Sequence, residues 1–340
     1  MNTPSLTSSA NPALIEVVRS NFVESVHHGA LVITNPDGSV RTAIGDVEIP
    51  VFPRSSNKPL QALGMLRAGL EIDDADLALA CASHNGEPGH VDRALALLAA
   101  HGLDEQALHC PPDYPLHEDS RVAAIRDWPG KRRAAMNCSG KHAGMVVTCA
   151  QRGWPLAKYE DPGHELQQVI AETVVKLTGE PIASTAVDGC GAPLFAFSLT
   201  GLARAFGRLI TAEDGPERRI ADVMRAHPWL VAGTGREDTM LMLTVEGLLA
   251  KGGAEGVHAI ALPDGTAIAL KVDDGAQRPR NPLLVAALDA LGALPDNPAA
   301  RSVLDGLGRG YGEVFGGGRP VGELRPTDQL RRSLAASSAQ

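Results

Sequence analysis

An α+β fold with an antiparallel sheet is predicted from two β-hairpins, from helical segments beside them, and from the order of these elements. Each hairpin consists of two apolar or β-branched runs on either side of a turn rich in Asn, Pro, Asp or Gly. The hairpins cover residues 30–33 and 40–44 around the turn at 35–38, and residues 257–262 and 266–272 around the turn at 264–265. The order hairpin, helices, hairpin, helix favours a sheet whose terminal segments pack together.

The predicted helices share apolar residues every three or four positions. They cover residues 59–70, 91–101, 142–152, 165–178, 244–251 and 282–291. Pro59 suits the first turn of its helix, and Gly252-Gly253 ends the apolar run that begins at Thr244. The polar or Ser/Ala-rich ends, residues 1–12 and 330–340, are predicted to be disordered tails. Residues 13–329 then form one α+β unit, which can divide into a sheet-based and a helical subdomain.

Composition excludes several classes of function. The chain has 340 residues, of which 44% are hydrophobic, and 40 acidic against 31 basic residues give a formal charge of −9. No long basic run is present, which argues against binding to nucleic acid. No signal peptide and no membrane-spanning apolar run are recognisable, so we expect a cytoplasmic protein without a membrane partner. Five scattered cysteines are too few for a disulfide framework.

A serine three residues before a lysine opens the first predicted helix, in the segment from Arg54 to Pro59. This spacing places Ser55 and Lys58 on one face of a helical turn. Burial or neighbouring positive charge lowers the pKa of a lysine, and a neutral Lys58 could take the proton of Ser55. The alternative interpretation is a serine cap followed by a solvated lysine, because the four-residue pattern is common by chance.

Two later features strengthen the catalytic interpretation of this serine. Ser83-x-Asn85 follows an apolar stretch and supplies a second hydroxyl and an amide. Lys271 lies in the last strand of the second hairpin, on a face that it shares with two alanines. Serine β-lactamases and penicillin-binding proteins use Ser-x-x-Lys, then Ser-x-Asn, then a strand lysine, in the same order. The likeness is one of layout, since a valine and an aspartate follow Lys271 where Thr-Gly is typical.

A second group of candidate residues includes two cysteines near glycine-rich turns. Cys138 and Lys141 are three residues apart, and Cys190 lies between two glycines. Two thiolates with a third donor suit Zn²⁺ and leave a position open for water or substrate. Asp188 and His142 are adjacent candidates for orienting these ligands. The alternative is a pair of ordinary buried thiols, which the spacing alone favours.

Together these motifs resemble those of the rhizobial-type (class 3) L-asparaginases, the asparaginase II family. The motifs are Arg54-Ser55-x-x-Lys58-Pro59-Leu60-Gln61, Ala82-Ser83-His84-Asn85-Gly86-Glu87, Asn137-Cys138-Ser139-Gly140-Lys141-His142-Ala143-Gly144-Met145, Val187-Asp188-Gly189-Cys190-Gly191-Ala192-Pro193 and Gly233-Thr234-Gly235-Arg236-x-Asp238-Thr239. They run in the family's order over nearly the whole chain, and such long motifs are specific.

The resemblance implies a fold like that of serine β-lactamases and glutaminases, a homodimer, and hydrolysis of L-asparagine to L-aspartate and ammonia. It implies two Ser–Lys pairs, Ser55 with Lys58 and Ser83 with Lys271. In the mechanism that we expect, Ser55 attacks the side-chain amide and an acyl-enzyme forms. The sequence leaves open which pair holds the nucleophile.

The resemblance also implies a zinc ion held by Cys138, Lys141 and Cys190. Because serine nucleophiles are already present, we expect the ion to orient the substrate rather than to supply hydroxide. The residues expected to contact or orient the substrate are Arg54, Asp188, His142 and Arg236.

Two other functions remain open from the sequence. A serine hydrolase acting on β-lactams or peptides would have a similar layout, but it would normally carry an export signal. A non-catalytic zinc or thiol sensor could be built on the same fold. Ammonia release from asparagine distinguishes an asparaginase from a sensor.

Overall fold

The structure is a computed structural model that describes residues 11–308 and 314–337. Its strands are β1 (Ala13–Arg19), β2 (Phe22–Thr34), β3 (Val40–Ile44), β4 (Ser184–Val187), β5 (Pro193–Ala196), β6 (Leu249–Gly252), β7 (Val257–Ala261), β8 (Ala267–Val272), β9 (Val314–Gly316) and β10 (Arg319–Pro326). Within the described residues, eight strands form one sheet in the order β6-β7-β8-β2-β1-β10-β9, with β3 paired to β2, and β4 and β5 form a separate hairpin. Every strand pairing in these sheets is antiparallel.

The helices pack on the sheet and against one another. They are α1 (Lys58–Arg67), α2 (Asp74–Ala80), α3 (Pro88–Ala100), α4 (Glu118–Asp127), α5 (Ser139–Arg152), α6 (Glu165–Thr178), α7 (Leu199–Thr211), α8 (Gly215–Ala226), α9 (Pro228–Val231), α10 (Glu237–Thr244), α11 (Arg280–Ala290), α12 (Pro298–Gly308) and α13 (Asp328–Ser337). Short 3₁₀ helices cover Arg54–Asn57 and Glu105–Ala107. Helix α7 packs on β2, β7 and β8, whereas α1 packs against α5, α6 and α8 in a helical layer.

The prediction of an α+β fold with an antiparallel sheet is confirmed. Both predicted hairpins are present as β2–β3 and β7–β8, and β8 pairs with β2, which joins the hairpins in one sheet. The two ends of the chain also meet as expected, since β1 pairs with β10 with Val17 opposite Leu324. All of β7 and nearly all of β8 is buried, so the centre of the sheet is covered on both faces.

The helix predicted over residues 244–251 is wrong. Helix α10 ends at Thr244, and the chain then enters β6, whose four residues Leu249–Gly252 are all buried. A strand that is buried on both faces shows no alternation of apolar and polar residues, so its pattern resembles that of a buried helix. This error matters for the candidate site, because β6 carries a buried lysine.

The prediction of disordered tails is wrong where the structure describes them. Residues 328–337 form α13, in which Leu330 and Leu334 lie one helical turn apart and are buried. Asn11 is also fixed, because its side chain donates to Asp273 and accepts from the Asp46 backbone. Residues 1–10 and 338–340 lie outside the described residues. No helix in the described part of the chain has both the length and the apolar character that crossing a membrane requires.

Candidate active site

The segment around Ser55 is a 3₁₀ turn that runs directly into α1. Arg54 has a φ of +52°, in the left-handed region that residues with side chains seldom occupy. Ser55 is partly exposed, whereas the following residues up to Lys58 are buried. Such backbone strain concentrates at functional sites, where the surrounding structure holds it in place. The turn therefore holds a partly exposed serine three residues before a buried lysine.

Lys58 connects this turn to two other predicted motifs. Its side chain is 1% exposed, and its Nζ donates to the backbone oxygens of Ala82, at 2.6 Å, and Asn137, at 3.3 Å. These two carbonyls come directly before Ser83 and Cys138. The structure thus brings together three motifs that are well separated in the sequence.

Ser83 follows α2 and is 6% exposed. Its Oγ accepts a hydrogen bond from Asn137 Nδ2 at 3.4 Å. Arg236 donates to the Ser83 backbone oxygen at 3.4 Å and to Asn85 Oδ1 at 3.1 Å. Arg236 therefore lies beside the second serine, where a substrate carboxylate could reach its guanidinium.

Lys271 has different neighbours from those expected of a partner of Ser83. It lies on β8, and its Nζ donates to the Val272 backbone oxygen at 2.6 Å. Burial lowers the pKa of Lys271, and the carboxylates of Glu255, Asp273 and Asp274 oppose this effect. Among the described residues we find no hydrogen bond between this lysine and Ser83. The geometry therefore gives no support to the Ser83–Lys271 pair.

A different strand lysine faces the site. Lys251 on β6 is fully buried, and its Nζ donates to Asp238 Oδ2 and to the Gly252 backbone oxygen, both at 2.9 Å. Its backbone oxygen accepts from Ser56 Oγ at 2.9 Å, which ties β6 to the turn that carries Ser55. Burial lowers the pKa of Lys251, Asp238 raises it, and the charge of Lys58 lowers it further. The two buried lysines are thus close enough to interact.

Asp238 fixes the position of Lys251. Its Oδ1 accepts from the Gly252 N–H at 2.8 Å and lies 2.9 Å from His258 Nε2, in fully buried surroundings. Burial would raise the pKa of Asp238, but Lys251 and His258 hold that pKa well below its ordinary value. The aspartate is therefore ionised and fixes the lysine ammonium in one position.

The sequence contains a signal for Lys251 that the helix prediction concealed. In Lys251-Gly252-Gly253 a glycine lies two residues after a strand lysine, as in the Lys-Thr-Gly pattern, whereas valine and aspartate follow Lys271. The close approach requires glycine, because a Cβ on Gly253 would lie 2.5 Å from the Pro53 backbone oxygen. A correct strand assignment for residues 249–252 would have pointed to this lysine.

The predicted metal ligands also converge. Cys138 immediately precedes α5, Lys141 lies in its first turn, and Cys190 lies in the turn between β4 and β5. Lys141 Nζ donates to Cys190 Sγ at 3.1 Å, and both cysteines are buried free thiols. His142 shares a hydrogen bond with Tyr159 through Nδ1 at 2.7 Å, and burial lowers the pKa of His142 while its interaction with Cys190 opposes this effect.

Charge within this cluster is unevenly distributed. The pKa of Cys190 is held well below its ordinary value, mainly by a hydrogen bond with Cys138. Burial opposes this lowering, and the charge of Lys141 adds to it. The same hydrogen bond and burial raise the pKa of the Cys138 thiol. Burial would lower the pKa of Lys141, but Cys190, Cys138 and Asp188 raise it. Cys190 is therefore the cysteine of the pair that loses its proton more readily, next to Cys138 and the Lys141 ammonium group.

The donor set fits zinc only with the lysine included. In the described regions no group of three or more His, Cys, Asp or Glu side chains is arranged to hold a metal ion. Two sulfur donors and the Lys141 amine nevertheless lie together, next to the His142 ring. Nitrogen and sulfur donors are those that zinc prefers in proteins. A bound ion would have to displace a proton from Lys141.

Arg54 links the serine turn to the cysteine cluster. Its Nε donates to Asp188 Oδ1 at 2.8 Å, and Asp188 Oδ2 accepts from Cys190 Sγ at 3.6 Å. Arg54 and Lys58 therefore connect the two serines, Ser55 and Ser83, with the predicted metal ligands. Apart from Lys271, the residues that the sequence singled out form one connected site.

Comparison with known protein families gives a family assignment. The model of the family described as L-asparaginase II matches residues 15–326. No curated protein matches the chain significantly. Similar solved structures include a β-lactamase from Mycobacterium bovis, 16% identical with a TM-score of 0.38, covering 82% of this chain and 94% of that chain. Another is EstCE1, a hydrolase with promiscuous acyltransferase activity, 15% identical with a TM-score of 0.36, covering 72% of this chain and 88% of that chain. At these TM-scores we base no conclusion on either structure.

Proposed function

The chain belongs to the L-asparaginase II family, and from this premise we propose that it hydrolyses L-asparagine to L-aspartate and ammonia by serine–lysine catalysis. Family membership supports an asparaginase-type hydrolase. The observation that carries the finer proposal is the partly exposed Ser55 on the same turn as Lys58, whose buried Nζ is fixed by two backbone oxygens. A hydroxyl beside a buried amine is the arrangement that an activated serine requires.

In the proposed reaction, Lys58 is the base that takes the proton of Ser55 while the serine oxygen attacks the side-chain amide carbon. The N–H groups at the open start of the 3₁₀ turn stabilise the oxyanion that forms. The C–N bond then breaks, and the amide nitrogen leaves as ammonia after receiving a proton. Water hydrolyses the resulting ester, which releases L-aspartate and restores Ser55.

We propose Lys251 in place of Lys271 as the partner of Ser83. Arg236 supports this pairing, because it donates to the Ser83 backbone oxygen and its charge also acts on Lys251. Asp238 keeps the Lys251 ammonium in place. In this assignment Ser83 and Lys251 deliver the proton to the leaving amide nitrogen, while Ser55 and Lys58 form the ester.

Zinc is the cofactor that we propose for the cysteine cluster, held by Cys138, Lys141 and Cys190. When bound, the ion would neutralise the thiolates and help to orient the substrate. Asp188 and His142 border these ligands, and Arg54 extends from Asp188 toward Ser55. Arg54 and Arg236 are the two cations that can receive the substrate carboxylate.

Protein purified without added metal is expected to carry about one zinc per chain, measured by mass spectrometry. Cys190→Ala should lose the ion, whereas Cys149→Ala, a buried cysteine on α5 away from the cluster, should keep it. If zinc orients the substrate, removing it raises KM while kcat is largely preserved. A content below about a tenth of an equivalent would contradict the site, since a preformed zinc site binds tightly.

Ammonia release from L-asparagine by the purified protein tests the proposed activity. We expect steady release from asparagine and no hydrolysis of a chromogenic β-lactam. Release from neither compound, with zinc bound, would favour a sensor instead. Hydrolysis of the β-lactam alone would favour the β-lactamase-like alternative. The homodimer and the cytoplasmic location stay predictions.

A further inference from the structure

The turn after β6 places a second acidic residue beside Arg54, the residue that precedes Ser55. It comprises Gly253-Ala254-Glu255-Gly256 and is closed by a hydrogen bond from the Gly253 N–H to the Val257 oxygen at 2.9 Å. Glu255 has a φ of +56°, in the left-handed region. A residue with a large side chain occupies this region only where the surrounding structure imposes it, and such residues cluster at ligand sites. The turn also contacts the Ser55 segment, through the close approach of Gly253 to Pro53.

The Glu255 carboxylate lies between two cations. Its Oε1 is 3.7 Å from an Arg54 terminal nitrogen, and its charge raises the pKa of Lys271 against the effect of burial. Its Oε2 packs against Gly275, so closely that a Cβ added to this glycine would lie 2.5 Å from Oε2. The side chain is nevertheless 62% exposed. At 3.7 Å the contact with Arg54 is an ion pair beyond hydrogen-bond distance, so this carboxylate can still accept hydrogen bonds.

The other acidic partner of Arg54 is already engaged. Asp188 is only 10% exposed, accepts from Arg54 Nε on one oxygen and accepts from Cys190 on the other. Glu255 is therefore the partner of Arg54 whose carboxylate is open to an incoming ligand. Next to it, the guanidinium of Arg54 is partly exposed and can receive an anion.

A free α-amino acid carries both charges that this pair can bind. Its α-carboxylate suits the Arg54 guanidinium, and its α-ammonium suits a carboxylate a few ångströms away. The two groups are held on one carbon in the substrate, as Arg54 and Glu255 are held side by side in the protein. Compounds without the α-ammonium group would lose the contact with Glu255.

We propose that Glu255 binds the α-ammonium group of the substrate and makes the site specific for free α-amino acid amides over N-acylated or deaminated analogues. This proposal rests on the proposed function, since it assigns the substrate contacts of the same site. It assigns Arg54 to the α-carboxylate and leaves Ser55 free to reach the side-chain amide.

Glu255→Gln tests this assignment with two amides, L-asparagine and succinamate, which is asparagine without its α-amino group. For L-asparagine the variant should raise KM about ten- to a hundredfold with kcat largely retained, the loss expected for a hydrogen bond to a charged group. For succinamate kcat/KM should be unchanged, so the preference of the wild type for asparagine disappears. Asp274→Asn is the matched control, because it removes another exposed carboxylate near Lys271 that does not contact Arg54.

Binding of L-aspartate and succinate, measured by calorimetry, separates this inference from the proposed activity. These ligands differ only in the α-ammonium group. The wild type should prefer L-aspartate, and Glu255→Gln should lose that preference. Equal binding of both ligands by the wild type, or an unchanged preference in Glu255→Gln, overturns the role of Glu255 whatever the turnover. If the wild type prefers L-aspartate and Glu255→Gln loses that preference, but the wild type releases no ammonia from L-asparagine, only the proposed activity is overturned.

Discussion

Replacing Lys251 by methionine is expected to lower kcat/KM for L-asparagine by about 10²–10⁴-fold, the usual contribution of a positioned proton donor. Methionine keeps an unbranched apolar side chain but has no proton to give. Lys271→Met should change kcat/KM by less than about fivefold, because Lys271 acts only through the exposed Glu255 carboxylate, and exposed ion pairs contribute little. Steady-state ammonia release by both variants gives the comparison.

Loss of activity in Lys251→Met needs a control for folding, since the change leaves Asp238 buried without its partner. Breaking a buried ion pair in this way costs about 3–5 kcal/mol. The double variant Lys251→Met/Asp238→Asn removes both charges, so it should melt closer to the wild type and remain inactive. If Lys271→Met were the inactive variant and Lys251→Met active, the assignment to β6 would be wrong.

Ser55→Ala is expected to reduce kcat by at least about 10³-fold, because removal of a covalent nucleophile leaves only binding and oxyanion stabilisation. The hydroxyl is partly exposed, so its loss should leave the thermal unfolding temperature almost unchanged. Ser83→Ala should be impaired less severely, in the range of about 10–10³-fold, if it acts in proton transfer. Turnover near the wild-type rate in Ser55→Ala, with an inactive Ser83→Ala, would move the nucleophile to Ser83.

Short-range patterns predicted much of the site. The spacing placed Ser55 and Lys58 on one face of a turn, but the pattern is common by chance, so their role came from the family resemblance. For Cys138 and Lys141, at the start of α5, the role as metal ligands likewise came from the resemblance, because the spacing alone favoured ordinary thiols. The hairpin that became β7–β8 was recognisable because a turn with Asp and Gly lies between two apolar runs.

The remainder depended on contacts between distant parts of the chain. Ser56 and Lys251 are 195 residues apart in the sequence, and their hydrogen bond exists only because β6 packs against the Ser55 turn. The uniform burial of β6 removed the alternation that would have marked it as a strand. The contact between Glu255 and Arg54 likewise arises from this packing. Lys271 was predicted as the partner of Ser83 because its strand is easy to recognise in the sequence. In the structure its charged neighbours are carboxylates.

In the proposed mechanism the amide is hydrolysed through an ester on a serine. The product ratio tests this most directly when L-asparagine is hydrolysed in the presence of hydroxylamine, which intercepts acyl-enzymes. We expect β-aspartyl hydroxamate to replace L-aspartate as hydroxylamine increases, and Ser55→Ala to form neither product. If L-aspartate remained the sole product at every hydroxylamine concentration, water would be attacking the amide directly, which would contradict serine acyl transfer.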